Sequence, residues 1–167
     1  RQIAEAKLAL DINSSREVLL FGNAALEQHM LDPAEGYFIK SPKSFLGASG
    51  LRPEMVAFFE DVVTAMLIKI KRACEDFLKS EITGAVIGRP VNFQGINAEV
   101  SNQQAQAILL TSATRAGFKQ VEFLFEPLAA GFDFERTLKK DTQVLVVDIG
   151  GGTSDCSMVR MGPSHKD

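Results

Sequence analysis

The sequence is poor in several residue types whose abundance would mark a specialised class of protein. Its 167 residues include no Trp, one Tyr and two Cys, so twelve Phe supply nearly all of the aromatic packing. Two cysteines as far apart as Cys74 and Cys156 are too few for a disulfide framework or a cysteine-based metal site. We expect them to be small buried hydrophobic residues in a reducing compartment.

Long apolar runs and an excess of one charge are also lacking. The most apolar stretch, Val62 to Ile70, is interrupted by Thr64 and Lys69, so no membrane span is predicted. The net charge of -3, from 18 basic and 21 acidic residues, excludes a strongly basic nucleic-acid binder. Hydrophobic residues at 46% and charged residues at 23% are typical of a globular domain. No signal peptide is visible at the start of the sequence. Because the chain begins with Arg1 rather than Met, we expect a fragment of a longer protein.

The order of the predicted elements is typical of an α/β protein. Apolar residues recur at helical spacing after Pro53-Glu54, and this pair suits the first turn of a helix. Strand-like and helical patterns then alternate along the chain. We predict helices over 3–10, 24–30, 53–79, 98–116 and 126–138, strands over 18–21, 36–40, 85–88, 121–125, 144–147 and 156–161, and a loop over 41–50.

The most informative segment reads VLVVDIGGGTSD from residue 144. An apolar strand ends at Asp148, three glycines and two hydroxyl residues follow, and a second carboxylate comes at Asp155. Glycines let backbone amides approach a ligand without hindrance from a Cβ atom, and successive amides form a concave anion site. Two carboxylates would repel a bare phosphate but suit a hydrated Mg²⁺ that phosphates share. The segment therefore predicts a metal–phosphate loop.

Other glycine motifs fit this segment less well. A Walker loop needs Lys and Ser or Thr after its last glycine, and a dinucleotide fingerprint needs glycine where Asp155 stands. A methyltransferase-type loop shares the strand, the acid and the glycines, but it expects a helix over residues 156–161. The plain structural alternative is a glycine-rich hairpin turn with two solvated aspartates. The flanking carboxylates favour the metal–phosphate loop, and the conformation of residues 156–161 decides the methyltransferase-type alternative.

The segment VLVVDIGGGTSDCSMV resembles the second phosphate loop of the actin-like ATPase superfamily, in its DnaK-type heat-shock chaperone form. FEPLAAGFDFE, AVIGRPVNF, FGNAAL and KSPKSFLG resemble further segments of these chaperones in the same order, over roughly residues 18–161. Within this family, the segments KSPKSFLGASGL and GRPVNFQG most resemble those of the divergent YegD-type chaperones. The resemblance implies an incomplete ribonuclease-H-like α/β fold, a mixed sheet flanked by helices, in a cytoplasmic protein that binds ATP or ADP with Mg²⁺.

The same resemblance implies a role for each matching residue. Asp148 would orient the attacking water and the hydrated Mg²⁺, and Asp155 and Glu126 would reach the metal through water. Lys43 would reach the transferring phosphate. The β- and γ-phosphates would lie against the loop residues Gly150, Gly151, Gly152 and Thr153. From its residue type alone, Glu126 is equally well explained as an acid at a helix start, and Lys43 as a solvated lysine with Lys40 as its rival.

Some positions depart from the chaperone pattern. Arg89 stands where the chaperones carry a small apolar residue, before Pro90, which they use as a hinge-like switch. Gln106 replaces an arginine linked to interdomain signalling. These departures argue against classical coupling to a peptide-binding domain. The sequence also lacks the first phosphate loop and the adenosine-binding segment, so we expect negligible ATP hydrolysis by this chain alone.

Together these features predict three parts and one main function. Residues 1–50 would form a small insertion subdomain, residues 51–141 the first-lobe body, and residues 142–167 the opening hairpin of the second lobe. The expected function is Mg-ATP binding and slow hydrolysis in a DnaK-like chaperone, with client proteins or co-chaperones as partners. The alternatives are a non-catalytic actin-like scaffold and the methyltransferase-type cofactor loop. No nucleic-acid or membrane partner is expected, whereas exposed strand edges would favour pairing with a second copy.

Overall fold

A computed structural model describes residues 19–34, 36–150 and 154–165, in which helices and strands are mixed. The helices are α1 (Asn23–Leu31), α2 (Lys43–Leu46), α3 (Pro53–Leu78), α4 (Ala98–Arg115) and α5 (Glu126–Glu135). The strands are β1 (Gly84–Arg89), β2 (Gln120–Phe125), β3 (Thr142–Ile149) and β4 (Ser154–Met161), and a short 3₁₀ turn, Pro163–His165, follows β4. Among these elements β1 pairs with β2, and β3 pairs with β4. The predicted mixed α/β class is confirmed.

The chain divides into two compact units. The first unit extends to residue 85 and resumes over residues 93–121, so it contains α1 to α4. The second unit comprises residues 86–92 and continues from residue 122, so it contains most of β1 and β2 together with α5, β3 and β4.

Helix α3 is the longest helix described in the first unit, and its ends follow the sequence signals. Arg52 is still extended at φ -70° and ψ 152°, Pro53 opens the first turn, and Glu54 adds a favourable negative charge there. The helix stops at Lys79, whose backbone adopts the left-handed conformation at φ 54°. The predicted helix over residues 53–79 is therefore confirmed.

The core of the first unit lies where α3 packs against α4. Its buried apolar members are Leu46, Phe59, Val63, Phe93, Ala105 and Ile108. Small polar residues let the two helices approach closely, since the hydroxyls of Thr64 and Ser112 both donate to the carbonyl oxygen of Glu60, at 2.6 and 3.1 Å. At the edge of the same interface Arg115 Nη2 lies 2.6 Å from Asp61 Oδ1.

Helix α4 and the loop before it both pack against the end of α2. Gln104 Nε2 donates to the carbonyl oxygens of Leu46 at 2.9 Å and Ala48 at 3.1 Å. A Cβ atom on Gly47 would lie 2.6 Å from Phe93 Cβ, so only glycine permits this approach. The loop that was predicted over residues 41–50 thus contains a helical turn, because Pro42 supplies a suitable backbone conformation just before it.

Two predicted strands are wrong within the described residues. Residues 19–21 and 36–40 form no ladder. The apolar side chains of the second segment instead enter aromatic contacts: Phe38 stacks on His29 with ring centroids 4.3 Å apart, and Tyr37 meets the edge of Phe58 at 6.2 Å. Val18 and the helix predicted over residues 3–10 lie outside the described residues.

The second unit is built by packing α5 on the β3–β4 hairpin. Gly131 is buried in α5, at a place where a Cβ atom would overlap the Met161 side chain of β4. The hairpin is pinned beyond β4 as well, because the amide of Gly162 donates to Glu135 Oε1 at 2.9 Å. The same turn is held by Asp141, which accepts from the Ser164 amide at 3.2 Å.

Several finer expectations need correction. Both cysteines are exposed rather than buried. The short apolar run over residues 85–88, bounded by Gly84 and Pro90, would suit a buried strand, but β1 alternates between exposed and half-buried residues, with Val86 66% exposed. Helix α5 ends at Glu135, three residues before the predicted 138, and the turn continues through Thr137 and Leu138. In the part of the chain that the structure describes, no helix combines the length and apolar content needed to cross a membrane.

Candidate functional site

The β3–β4 hairpin places two aspartates face to face. Its antiparallel register pairs Asp148 with Asp155 and, two residues further from the turn, Val146 with Ser157. Because side chains alternate along a strand, these four residues lie on one face of the hairpin. An apolar strand that ends in aspartate, followed by glycines, therefore brings two carboxylates to the loop end of one face.

A pocket of about 160 Å³ opens on this face, and it lies entirely within the second unit. Three segments line it: the turn after β1, the first turns of α5, and the hairpin. Its lining residues are Pro90, Val91, Asn92, Glu126, Pro127, Ala130, Val146, Asp148, Asp155, Cys156 and Ser157.

Glu126 enters the pocket from the start of α5. It is the first residue of that helix and follows Phe125, the last residue of β2. Its side chain runs beside β1, since a Cβ atom built on Gly88 would lie 3.4 Å from Glu126 Cγ. That distance is an ordinary van der Waals contact, so the Glu126 side chain packs directly alongside the backbone of β1.

The pocket carries a strong negative charge. Asp148, Asp155 and Glu126 contribute three carboxylates, and none of the described lining residues is Lys, Arg or His. Such a site attracts a divalent cation and repels an uncompensated anion. Carboxylate oxygens with water are the ligands that Mg²⁺ prefers, and Mg²⁺ usually keeps several of its waters.

The size of the pocket further limits the kinds of ligand that it can hold. Pockets that enclose a drug-sized molecule usually measure roughly 300–1,000 Å³. A volume of about 160 Å³ holds several waters. The residues present thus fit a hydrated cation with the end of a phosphate chain, rather than a whole nucleotide. Among the described residues no three acidic, His or Cys side chains cluster tightly enough to hold a metal ion directly.

Of the site residues predicted from sequence, the structure brings three together in this pocket: Asp148, Asp155 and Glu126. Gly150 comes directly after β3 and is exposed, whereas the predicted phosphate-binding residues Gly151, Gly152 and Thr153 lie outside the described residues. Lys43 belongs to the first unit, where it begins α2 and has an exposed side chain.

Two polar lining residues were not predicted from the sequence. Asn92 lies in the turn two residues after Pro90, and Ser157 lies two residues after Asp155. The strand period of two would have placed Ser157 on the face of Asp155 once β4 was taken as a strand. For Asn92, the only sequence signal of a place in the pocket was its position just after the end of β1.

The conformation of β4 decides one alternative. Residues 154–161 form a strand that pairs with β3 along its whole length. A methyltransferase-type loop requires a helix at this position, so that alternative is wrong. The described strands β3 and β4 thus form a hairpin with one carboxylate near each side of the glycine segment.

Comparison with known proteins gives the family. The profile of the family described as "Hsp70 protein" matches residues 53–164, which is more than half of the chain. This chain belongs to the Hsp70 family. It is also 34% identical over 104 residues to a protein from Acinetobacter baylyi named "Chaperone protein HscA homolog". That match covers 60% of this chain and 16% of the relative, so the chain spans a small part of the chaperone it matches.

Proposed function

We propose that this chain is part of the nucleotide-binding domain of a chaperone that binds Mg-ATP and hydrolyses it slowly to drive a conformational change. The observation that carries the proposal is the convergence of Asp148, Asp155 and Glu126 on one pocket beside the glycine turn. Family membership supports it, since the match over residues 53–164 includes all three carboxylates. The relative from Acinetobacter baylyi is itself named as a chaperone.

Each carboxylate has a distinct task in this proposal. Asp148, at the end of β3, orients the attacking water and holds the hydrated Mg²⁺ through its water ligands. Asp155 and Glu126 accept hydrogen bonds from further waters around the metal. When bound, Mg²⁺ neutralises charge on the phosphate oxygens, and the three carboxylates compensate the charge of the metal.

The phosphates of ATP or ADP are assigned to the glycine turn. Gly150, Gly151, Gly152 and Thr153 offer backbone amides and a hydroxyl to the β- and γ-phosphates. Lys43 is assigned to the transferring phosphate, where a cation stabilises the charge that develops during transfer. The domain is assigned to the ribonuclease-H-like fold, with residues 1–50, 51–141 and 142–167 as its three parts.

Client proteins or co-chaperones are the proposed partners, and the cytoplasm is the proposed location. Nucleic acid is not proposed as a ligand, because a net charge of -3 and a pocket of three carboxylates both oppose a polyphosphate backbone.

Calorimetric titration of the full-length protein with Mg-ATP tests the nucleotide site. We expect Mg²⁺-dependent binding that Asp148→Asn weakens by about tenfold or more, because a charged hydrogen-bond acceptor is lost at the metal waters. Asp133→Asn is the matched control, since Asp133 is exposed on α5 and does not line the pocket. Absence of binding, or equal binding by both variants, would contradict the proposed site.

A turnover assay separates the ATPase from a non-catalytic actin-like scaffold. The proposal expects slow ATP hydrolysis by the full-length protein that falls with Asp148→Asn. Binding without turnover would favour the scaffold. For the 167-residue chain alone we expect turnover no higher than a blank without protein; hydrolysis that Asp148→Asn abolished would contradict this expectation.

A further inference from the structure

One side chain outside the pocket joins two of the segments that line it. Arg89 is the last residue of β1, and its guanidinium carbon lies 5.0 Å from the centroid of the Phe125 ring. The same side chain turns back over the chain that follows it. Arg89 Nε donates to the Pro90 carbonyl oxygen at 3.3 Å, and Nη2 donates to the Val91 carbonyl oxygen at 3.4 Å.

The turn over residues 90–92 forms one side of the pocket without belonging to a helix or strand. Pro90 has no amide hydrogen, so it cannot donate a ladder hydrogen bond there. Both hydrogen bonds from Arg89 are long, and each is weak by itself. Together with the ring contact, these hydrogen bonds give the guanidinium three contacts.

Phe125 connects this group to a second side of the pocket. It is the residue directly before Glu126, so the ring lies at the point where the chain enters α5. Arg89 therefore contacts the turn on one side and the base of α5 on the other, although it does not itself line the pocket.

We infer that Arg89 is a positioning residue, which fixes the turn over residues 90–92 against the start of α5 and so sets the spacing between Pro90 and the Glu126 carboxylate. This inference rests on the proposed function, because the ligand whose binding it tunes is the Mg-nucleotide. Only arginine suits the position. Its guanidinium is a flat fork of donors that also stacks on aromatic rings, whereas the ammonium of lysine is a compact, strongly hydrated point charge.

The test uses the full-length protein with Arg89→Met, which keeps the length of the side chain, and Arg89→Lys, which keeps its charge. Arg72→Met is the matched control, because Arg72 is exposed on α3 in the first unit. Hydrogen–deuterium exchange of a peptide covering Val91 and Asn92, and calorimetric titration with Mg-ATP, are measured on each variant.

We expect Arg89→Met to weaken Mg-ATP binding about fivefold to twentyfold and to speed exchange at Val91 and Asn92 by a similar factor, with α3 and α4 unchanged. Arg89→Lys should fail to restore either value, because charge alone does not reproduce the fork and the stacking. Phe125→Leu should also weaken Mg-ATP binding. The double variant Arg89→Met, Phe125→Leu should lose less binding free energy than the sum of the two single losses.

Three results would overturn the inference. One is wild-type exchange at Val91 and Asn92 together with wild-type affinity in Arg89→Met. Another is an Arg89→Lys variant with wild-type affinity for Mg-ATP and wild-type exchange at Val91 and Asn92. The third is an increase in exchange spread evenly over α3 and α4, which would mark general destabilisation. Failure of the proposed function is distinct, since the wild-type protein would then bind no Mg-ATP, and the inferred role of Arg89 would fall with it.

Discussion

Asp148 and Asp155 are direct partners in the β3–β4 ladder. Like charges directly opposite each other destabilise a pair of strands. Val146 and Ser157, the next pair on this face, add no positive charge that would offset the repulsion. Local rules of sequence and structure are broken mainly at functional sites, so this pair supports the proposal of a Mg²⁺ site at this end of the hairpin.

Asp155→Asn should therefore stabilise the chain when no divalent cation is present. Removing one of two facing charges should raise the free energy of unfolding by a few tenths of a kcal/mol, roughly the scale of one exposed cross-strand pair. Thermal denaturation at low ionic strength in a chelator measures this change, and added salt should shrink it. Asp133→Asn, which removes an exposed charge elsewhere in the second unit, should have no comparable effect.

Mg²⁺ should reverse this order of stability. The wild-type chain should gain more from Mg²⁺ than Asp155→Asn does, because bound cations stabilise the state that binds them. If the variant is no more stable in chelator and gains as much from Mg²⁺, the two carboxylates do not act as a cation site.

Gly131→Ala should destabilise the second unit, although alanine is normally the better helix residue by about 1 kcal/mol. The added methyl group would overlap the end of the buried Met161 side chain, and overpacking of this kind costs about 1–3 kcal/mol. We expect a net loss of about 1 kcal/mol by urea denaturation, since a flexible methionine relieves part of the overlap.

The double variant Gly131→Ala, Met161→Ala identifies the cause. If overlap is responsible, the double variant should lose less stability than the sum of the losses in the two single variants, because the shorter side chain makes room for the methyl group. Additive losses, or a gain in stability from Gly131→Ala alone, would show that α5 and β4 do not meet at this point.

The elements that could be predicted from sequence are those whose local signals agree with their packing. Helix α3 carries Pro53 and Glu54 in its first turn and a long apolar stripe, and both ends were predicted correctly. The segment over residues 36–40 carries the composition of a strand, but Phe38 stacks on His29 instead. Stacking on a ring of helix α1 leaves no periodic signal in the segment itself, so packing between elements overrode local preference there.

The same limit applies to the candidate site. Carboxylates on both sides of a glycine turn pointed to Asp148 and Asp155, and a hairpin followed from the strand pattern after them. The exact opposition of the two residues depends on a register that composition does not reveal. The contact between Arg89 and Phe125 joins residues far apart in sequence, so only the folded chain brings it to light.

Stability in acid should depend on Asp141. The hydrogen bond from the Ser164 amide is the largest influence on this carboxyl, and it lowers the pKa below its ordinary value near 3.8. Burial, the next largest influence, opposes it, whereas the Ser164 hydroxyl and the charges of His165 and Arg160 lower the pKa further. A carboxyl whose pKa is lowered by folding adds stability above its unfolded pKa, and this contribution is lost as pH falls through the folded value.

Asp141→Asn should thus lower stability at neutral pH and flatten the loss of stability below about pH 4. Denaturant midpoints measured from pH 7 downward test this expectation, with Asp133→Asn as the matched control. An equal loss of stability in wild type and Asp141→Asn as the pH falls would contradict this expectation.

The outer face of the hairpin predicts how the 167-residue chain behaves in solution. Leu145, Val147 and Met158 are 58%, 51% and 67% exposed, and the register pairs Leu145 with Met158. In the described residues β3 and β4 pair only with each other, so their outer edges also offer free backbone groups. An apolar face beside open strand edges favours pairing with another copy.

We therefore expect the chain to self-associate with rising concentration, and Leu145→Lys to shift it towards the monomer. Sedimentation velocity over a concentration series measures this shift. Leu110→Lys is the control, because Leu110 is a 45% exposed leucine on α4, and isolated surface leucines are common in monomeric proteins. A monomer at every concentration, or an equal effect of the two lysines, would mean that the hairpin face is not the contact. Dissociation by Leu145→Lys alone would locate self-association on β3, opposite the face that bears Asp148 and Asp155.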